Sequence, residues 1–371
     1  MESIQAGELL ALEQAHRDDQ DLNVDLLPLD DAPSPVSSGG WSPSQAQASV
    51  DTVTRDRDAI AYIGDYDSGA TATTLPSTNR AGILQVSPWS PYVGLTDLNP
   101  VDGIGQPGAY YPSGVRTFAR LVPSDVKEAQ ATISFMQQLG VSSVYVLSDN
   151  SPYNGPFDSA IAPLVASDAV KVGITLAGQA QIDTAATTQP AGYASVAAAI
   201  LASHASAVFV GAEPGPGAVA LWQELYDELP VGVALFAPST LAIGPFLDKL
   251  GAATADTYVT SPILPADQYP QSGQAILRLL KRRYPRNYPY PEALYGYEAM
   301  KSILDAINVA GKKATKPLAL IHTYFHLGTR DKSVIGRYYI TRTGDSSLSK
   351  FAGYRVGEDG HLIEIRRFNV G

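Results

Sequence analysis

The chain has 371 residues, of which 45% are hydrophobic and 17% charged, so it can form two domains with separate cores and does not have a disordered composition. Its formal net charge of −11 argues against a nucleic-acid partner or an anionic membrane surface, because both bind through basic patches. The absence of cysteine excludes disulfides, thiolate nucleophiles and thiolate metal sites.

The sequence has no membrane-spanning pattern, and its N-terminal region has no targeting pattern. No apolar run reaches the roughly 18 residues that a transmembrane helix needs. The opening residues lack the basic stretch and cleavage site of a signal peptide and instead predict a helix over roughly Ser3 to His16. A strand is predicted over Leu22 to Leu29, and Ser42 and Pro43 supply the cap and first turn of a second helix.

The next stretch contains two short apolar strands, Ile60 to Ile63 and Gly82 to Val86, that each run into a loop of small polar residues. Repeated strand, loop and helix units build parallel sheets, in which ligands bind beyond the carboxyl ends of the strands. The two loops are therefore predicted to share one binding edge, with Ser68 as a ligand contact. Aromatic side chains with polar tips in such loops can close over a small ligand, which makes Tyr66 and Trp89 candidates as well.

A glycine motif follows in the irregular connection after the second loop. Gly103, Gly105 and Gly108 match the dinucleotide-binding fingerprint, but the fingerprint requires a strand before it and a helix starting within it. Pro107 and the aromatic residues after it disfavour a helix, so the motif is interpreted as a plain loop.

From Pro123 onwards the alternation of helices and strands resumes with a helix that Asp125 can cap. Two sequential α/β units followed by further helices and strands predict two lobes with segments crossing between them, and a cleft that gathers loops from both. The predicted strands are 143–147, 170–176, 207–210, 231–236, 257–260, 337–340, 352–356 and 361–368, and the later helices are 275–283, 294–309 and 316–326.

The sequence contains no recognisable catalytic motif. None of the five histidines lies in a nucleophile elbow, and there is neither a GxSxG motif nor a P-loop. His322 and His326 have the helical spacing of two metal ligands, but the HExxH glutamate and a third ligand are missing, so they are interpreted as flanking a packed helix face. No catalytic residue, metal or cofactor is predicted, and the protein is not expected to be an enzyme.

Several runs of residues together resemble the type I periplasmic substrate-binding proteins of ABC importers, most closely the leucine/isoleucine/valine-binding branch. The resemblance covers most of the chain in the order of that family. It rests on the runs AYIGDYDSGATATTLPSTNRAGILQVSPWSP, TFARLVPSDVKEAQATISFMQQLGVSSVYVLSDNSPYNGPF, AVFVGAEPG and LYGYEAMKSILDAI.

The resemblance implies an α/β fold of two Rossmann-like lobes with doubly wound parallel sheets. Residues 1–118 and 261–336 would form lobe 1, and residues 119–260 and 337–371 would form lobe 2. Three crossing segments would join the lobes near Phe118 to Arg120, Thr260 to Pro262 and Ile335 to Tyr338. Family members begin with a strand and a ligand loop before the first helix, so the first strand of lobe 1 is expected to be missing here.

The resemblance also implies roles for individual residues. Ser68 would contact the α-carboxylate of an amino acid, with the backbone of Trp89 and the side chain of Ser90 nearby. Tyr153 stands where the second lobe contributes an aromatic residue. The ligand-binding residues predicted in total are Tyr66, Ser68, Trp89, Ser90, Tyr153, Glu213 and Ser239.

Two positions depart from the family pattern. Pro91 stands where a carboxylate-binding threonine is common, and Ser239 stands where amino-acid binders carry an acid for the α-ammonium group. An unpaired buried charge is costly. Either Glu213 supplies the negative charge from the adjacent loop, or the ligand is not an α-amino acid.

The implied function is that of a solute-binding protein located outside the cytoplasm, in the periplasm or as a cell-surface lipoprotein. It would be a monomer that closes two lobes over a small polar ligand, an amino acid or a related compound, and delivers it to a membrane ABC permease. The alternative is a ligand-sensing regulatory or receptor domain on the same fold.

Overall fold

The computed structural model describes residues 2–32, 40–98, 107–151, 155–212, 214–284 and 291–371. The helices are α1 (Glu2–Asp18), α2 (Pro43–Arg55), α3 (Ser68–Ala81), α4 (Pro107–Tyr110), α5 (Asp125–Gln138), α6 (Gly155–Asp158), α7 (Ile161–Lys171), α8 (Ala194–Ser203), α9 (Pro216–Glu228), α10 (Gly244–Leu247), α11 (Gln271–Arg283), α12 (Ala293–Ala310) and α13 (Pro317–Phe325). The strands are β1 (Ala61–Ile63), β2 (Leu84–Ser87), β3 (Phe118–Arg120), β4 (Ser143–Asp149), β5 (Thr175–Ile182), β6 (Ala207–Gly211), β7 (Ala234–Ala237), β8 (Thr257–Ser261), β9 (Lys350–Val356) and β10 (Leu362–Asn369).

The described residues fall into two compact units. Unit 1 comprises those within 1–98, 105–124 and 263–348, and unit 2 comprises those within 125–262 and 349–371. Each unit is therefore built from separate stretches of the chain.

Unit 1 contains a parallel sheet in the order β1-β2-β3. All four residues of β2 and all three of β3 are buried, which is typical of parallel strands covered on both faces. Because the strands are parallel, the loops after β1 and β2 leave the same edge of the sheet.

Helices α1 and α12 of unit 1 pack together through two glycines. A Cβ atom on Gly7 would lie 2.0 Å from the carbonyl oxygen of Ala293, and one on Gly296 would lie 2.1 Å from the carbonyl oxygen of Ile4. The two backbones therefore approach each other at a distance that only glycine allows.

Unit 2 contains a seven-stranded sheet in the order β10-β9-β8-β7-β6-β4-β5. Strands β4 to β8 are mutually parallel, whereas β9 runs antiparallel to both β8 and β10. Its core includes Phe135 of α5, whose ring packs edge-on against Phe236 of β7 at 5.6 Å. The predicted α/β fold with parallel sheets is confirmed.

Three of the predicted strands are wrong. Leu22 to Leu29 is extended but not paired into a sheet, and Leu27 is 60% exposed. Residues 337–340 form only isolated bridges, one of them between Arg330 and Tyr338. The strand predicted over 170–176 begins instead at Thr175, because α7 continues to Lys171 and ends at Gly173, which adopts a φ of +84°.

The helix that was disfavoured after the glycine motif is present as the short α4, which starts at Pro107. Proline is well tolerated in the first turn of a helix, where its missing N–H group is not needed. Gly103 and Gly105 lie outside the described residues. Within the described ranges, no helix combines the length and apolar character needed to cross a membrane.

Candidate ligand-binding site

Asp65 organises the loop that follows β1. Its side chain is 4% exposed and accepts hydrogen bonds from the hydroxyls of Tyr62 and Thr74, each at 2.5 Å. Its own N–H group donates to the hydroxyl of Thr71 at 3.1 Å. Burial raises the pKa of Asp65 to about 7, although the two hydroxyl donors oppose this rise. The carboxyl group is thus a buried structural anchor for the loop.

A cluster of hydroxyl groups joins this loop to the one after β2. Ser87 and Ser90 donate to the carbonyl oxygen of Asp65 at 2.6 and 3.0 Å. Ser90 also shares a hydrogen bond of 2.7 Å with Thr71. The predicted ligand residue Ser90 is therefore fully buried and holds the two loops together.

Ser68 is the first residue of α3 and is 5% exposed. Its hydroxyl oxygen accepts a hydrogen bond from the N–H group of Tyr92 at 3.2 Å, and within the described ranges its proton has no acceptor. The preceding Asp67 makes no side-chain cap to the helix. Helix N-termini favour anions because their first N–H groups lack helical partners. Ser68 can therefore donate to an anionic ligand group.

Two aromatic side chains of these loops, Tyr66 and Trp89, contact each other, and a third, Tyr295, contacts Trp89 from α12. The ring of Tyr66 stacks on Trp89 with a centroid distance of 6.0 Å and an interplanar angle of 7°. Tyr295 of α12 meets Trp89 edge-on at 5.6 Å and 83°. The indole Nε1 of the buried Trp89 has no hydrogen-bond partner among the described residues. The structure thus brings the predicted residues Tyr66, Ser68, Trp89 and Ser90 together in unit 1.

Tyr295 was not predicted as a site residue, although it lies in the run LYGYEAM that contributes to the family resemblance. Its position on a helix distant in sequence from the two loops gave no local signal that separates it from a core tyrosine, and it is 2% exposed in the structure.

Arg120 of β3 is a second residue that the sequence did not reveal. Its side chain is fully buried, and its Nε donates to Asp345 at 2.8 Å. Its Nη1 donates to the carbonyl oxygens of Ser90 and Tyr92 at 2.8 and 2.6 Å, and Nη2 donates to Thr96. Arg120 therefore fixes the loop after β2. A single charge inside an otherwise apolar strand was the signal that could have identified it.

The pairing also affects Asp345. Burial alone would raise the pKa of this carboxyl group, but the charge of Arg120 and the hydrogen bonds from Arg120 and Thr96 outweigh burial and hold the pKa below its ordinary value. Asp345 is thus an ionised partner for the buried guanidinium.

In unit 2, Ser239 follows the carboxyl end of β7 and is 3% exposed. Its N–H and hydroxyl groups both donate to the carboxyl group of Glu128 on α5, at 2.5 and 2.7 Å. Burial raises the pKa of Glu128 to about 8, against the effect of the two Ser239 donors. The uncharged Ser239 is therefore hydrogen-bonded through two groups to a buried carboxyl group.

The loop after β4 in unit 2 is ordered by Asp149. Its carboxylate accepts from the hydroxyl of Ser151 at 2.5 Å and from the hydroxyl of Thr184 at 2.5 Å. The predicted ligand residues Tyr153 and Glu213 lie outside the described residues.

No group of three or more histidine, aspartate or glutamate side chains suited to a metal ion occurs in the described part of the chain. The rings of His322 and His326 stack at 4.1 Å, and Nδ1 of His326 hydrogen-bonds to the carbonyl oxygen of His322 at 2.6 Å. This contact holds His326, the residue that follows α13, to the last turn of that helix.

Comparisons with known proteins identify the family. The family model described as periplasmic binding protein matches residues 37–360. No curated protein sequence matches the chain significantly.

Solved structures with the same fold include an ABC transporter substrate-binding protein from Desulfitobacterium hafniense in complex with Leu. It is 18% identical with a TM-score of 0.77, over 98% of this chain and 95% of the other. A leucine-binding protein from Thermotoga maritima is 16% identical with a TM-score of 0.78, over 99% and 94% of the two chains. An ABC transporter solute-binding protein from R. palustris in complex with 4-hydroxybenzoate is 16% identical with a TM-score of 0.76, over 100% and 92%. The chain therefore belongs to the periplasmic binding protein family and has the type I fold.

Proposed function

We propose that the protein is an extracytoplasmic solute-binding protein that delivers a small organic carboxylate to a membrane ABC permease. The main observation behind the proposal is the position of Ser68. This residue begins α3, and its buried hydroxyl has a proton that is available to a ligand. Membership of the periplasmic binding protein family supports the role of solute carrier.

The chemistry of the helix start supports a carboxylate as the recognised group. The first N–H groups of α3 and the hydroxyl of Ser68 are donors, and the helix dipole favours negative charge at this end. The amino acid or related compound expected from the sequence carries such a group. Leucine and 4-hydroxybenzoate, which are bound by two of the structural relatives, carry it as well.

We further propose that the two units act as the two lobes of the family, with crossings near the three predicted segments, and that the protein works as a monomer without a catalytic step. Ser239, Tyr153 and Glu213 are proposed as the ligand contacts of the second lobe. The ligand would select a closed state that the permease recognises, because only differential affinity for two states can shift their equilibrium.

A thermal-shift screen of the full chain against amino acids, amides and small carboxylates tests the proposal. A ligand that binds only the folded state stabilises it by about 2.7 kcal/mol at 100 times its dissociation constant, so a binder raises the unfolding midpoint clearly. At least one carboxylate is expected to do so. If no compound in the panel raises the midpoint, the proposal is contradicted.

A further inference from the structure

The backbone donors of the loop after β2 are largely used within unit 1. The N–H group of Trp89 donates to the hydroxyl of Ser87 at 3.1 Å, and that of Tyr92 donates to Ser68 at 3.2 Å. Pro91 has no N–H group. These three positions of the loop therefore contribute no backbone donor to a ligand in the arrangement described.

Among the described residues, the side chains of Ser68 and Trp89 each carry a donor without an acceptor. The hydroxyl proton of Ser68 has no acceptor within the described ranges. The indole N–H of Trp89 also has none among those residues, although the side chain is only 4% exposed. Buried donors in proteins are almost always satisfied, so the unpaired indole N–H of Trp89 is a candidate donor to a ligand.

The surroundings of Trp89 are aromatic and planar. Tyr66 lies parallel to Trp89 at 6.0 Å, and Tyr295 meets it edge-on at 5.6 Å. Aromatic rings gain from offset stacking and edge contacts that a branched aliphatic group does not offer. The cluster therefore favours a flat ligand over a bulky aliphatic one.

The buried acid nearest in sequence to these donors does not provide a free negative charge. Both oxygens of the Asp65 carboxyl group accept hydroxyl donors, one from Tyr62 and one from Thr74. The side chain of Asp65 is also only 4% exposed, so it presents little surface to an ammonium group next to the ligand carboxylate.

We propose, on the basis of the proposed function, that the solute is an arene carboxylate. Its carboxylate accepts from the Ser68 hydroxyl and the Trp89 indole N–H, and its ring packs against Tyr66. Trp89 is then the residue that selects planar acids over aliphatic amino acids.

Calorimetric titration of the unaltered full chain with benzoate, cyclohexanecarboxylate and leucine tests the selectivity. Cyclohexanecarboxylate is the matched probe, because it has the carboxylate and the ring size of benzoate but is not planar. Benzoate is expected to bind at least about tenfold more tightly than either of the other two. This ranking requires no variant, so it tests the proposal independently of how any substitution affects folding.

The variant Trp89→Phe keeps an aromatic ring and removes only the indole N–H. It is expected to bind benzoate about tenfold more weakly, the loss of roughly one hydrogen bond to a charged group. Trp222→Phe is the matched control, because it removes an indole N–H that donates to Thr257 in unit 2, at 3.1 Å. It should bind benzoate as the unaltered protein does.

The outcomes separate this inference from the proposed function. The arene-carboxylate proposal is contradicted if leucine or cyclohexanecarboxylate binds as tightly as benzoate. It is also contradicted if Trp89→Phe binds benzoate with unchanged affinity. Neither result contradicts the proposed role in solute binding. If neither these compounds nor the wider panel of amino acids and carboxylates binds, both proposals fail.

Discussion

Ser239 donates two hydrogen bonds to Glu128, one from its N–H group at 2.5 Å and one from its hydroxyl at 2.7 Å. The two residues are 111 positions apart in the sequence and both are buried. The contact ties the start of α5 to the carboxyl end of β7. The contact also means that Ser239, a predicted ligand residue, is hydrogen-bonded to a carboxyl group, that of Glu128, whose pKa is raised to about 8.

This contact predicts a specific pH dependence of stability. Because the pKa of Glu128 in the folded state, about 8, lies above its ordinary value of 4.5, the folded protein binds the proton more tightly than the unfolded chain. The stability that this group contributes is fully present below about pH 4.5 and is lost as the pH rises towards 8. In Glu128→Gln, the free energy of unfolding relative to the unaltered protein should therefore rise with pH, by up to about 1.4 kcal/mol per pH unit.

Urea unfolding at about pH 5.5 and about pH 7.5 measures this trend. Glu358→Gln, which removes an exposed carboxyl group of the same unit, is the control and should follow the unaltered protein. A constant difference between Glu128→Gln and the unaltered protein at the two pH values would show that Glu128 does not titrate in this range.

Arg120 is predicted to be essential to the stability of unit 1. Removing one partner of a buried ion pair typically costs about 3–5 kcal/mol. Arg120→Met should approach the lower end of this range, because the side chain of Asp345 is 25% exposed and water can solvate it. Asp345→Asn should cost less, since the bonds from Arg120 to the carbonyl oxygens of Ser90 and Tyr92 remain. Chemical unfolding of the two single variants and of the double variant measures the interaction energy between Arg120 and Asp345. If the losses of the single variants simply add in the double variant, the ion pair does not contribute to stability.

Gly7 is predicted to be required for the packing of α1 on α12. In Gly7→Ala, the new Cβ would lie 2.0 Å from the carbonyl oxygen of Ala293, so the helices must move apart. We expect a loss of at least about 1–3 kcal/mol in the free energy of unfolding, measured with urea. Gly108→Ala is the matched control, because nothing lies within 4 Å of its Cβ position, and it should cost nothing. Equal stability of the two variants would mean that the helices do not pack as closely as the structure places them.

Much of the architecture could be predicted from local patterns. The short strands β1 and β2 were predicted within a few residues, because each is an apolar run that ends in small polar residues. The extended segment from Leu22 to Leu29 is also rich in apolar residues, but a strand requires a neighbour to pair with, which a local pattern cannot reveal. The strand predicted over 170–176 was wrong because Gly173 was not recognised as the end of α7.

The residues that the sequence did not reveal are those defined by distant contacts. Arg120 pairs with Asp345 across 225 positions, and Tyr295 reaches Trp89 from α12. Glu128 left a readable signal, since it lies on the same helical face as the buried Thr132 and Phe135. A charge on such a face indicates a buried partner, but its identity as Ser239 follows only from the fold.

The most direct test of the central claim is calorimetry on the unaltered protein and on Ser68→Ala, with the compound that most raises the unfolding midpoint. Ser134→Ala removes a serine hydroxyl that bonds within α5 of unit 2 and serves as the control. If α3 begins a solute-binding site, Ser68→Ala should weaken binding by about 1–3 kcal/mol, the cost of leaving a buried ligand group unpaired, and the control should bind normally. Unchanged affinity in Ser68→Ala would remove Ser68 from the site and contradict the account.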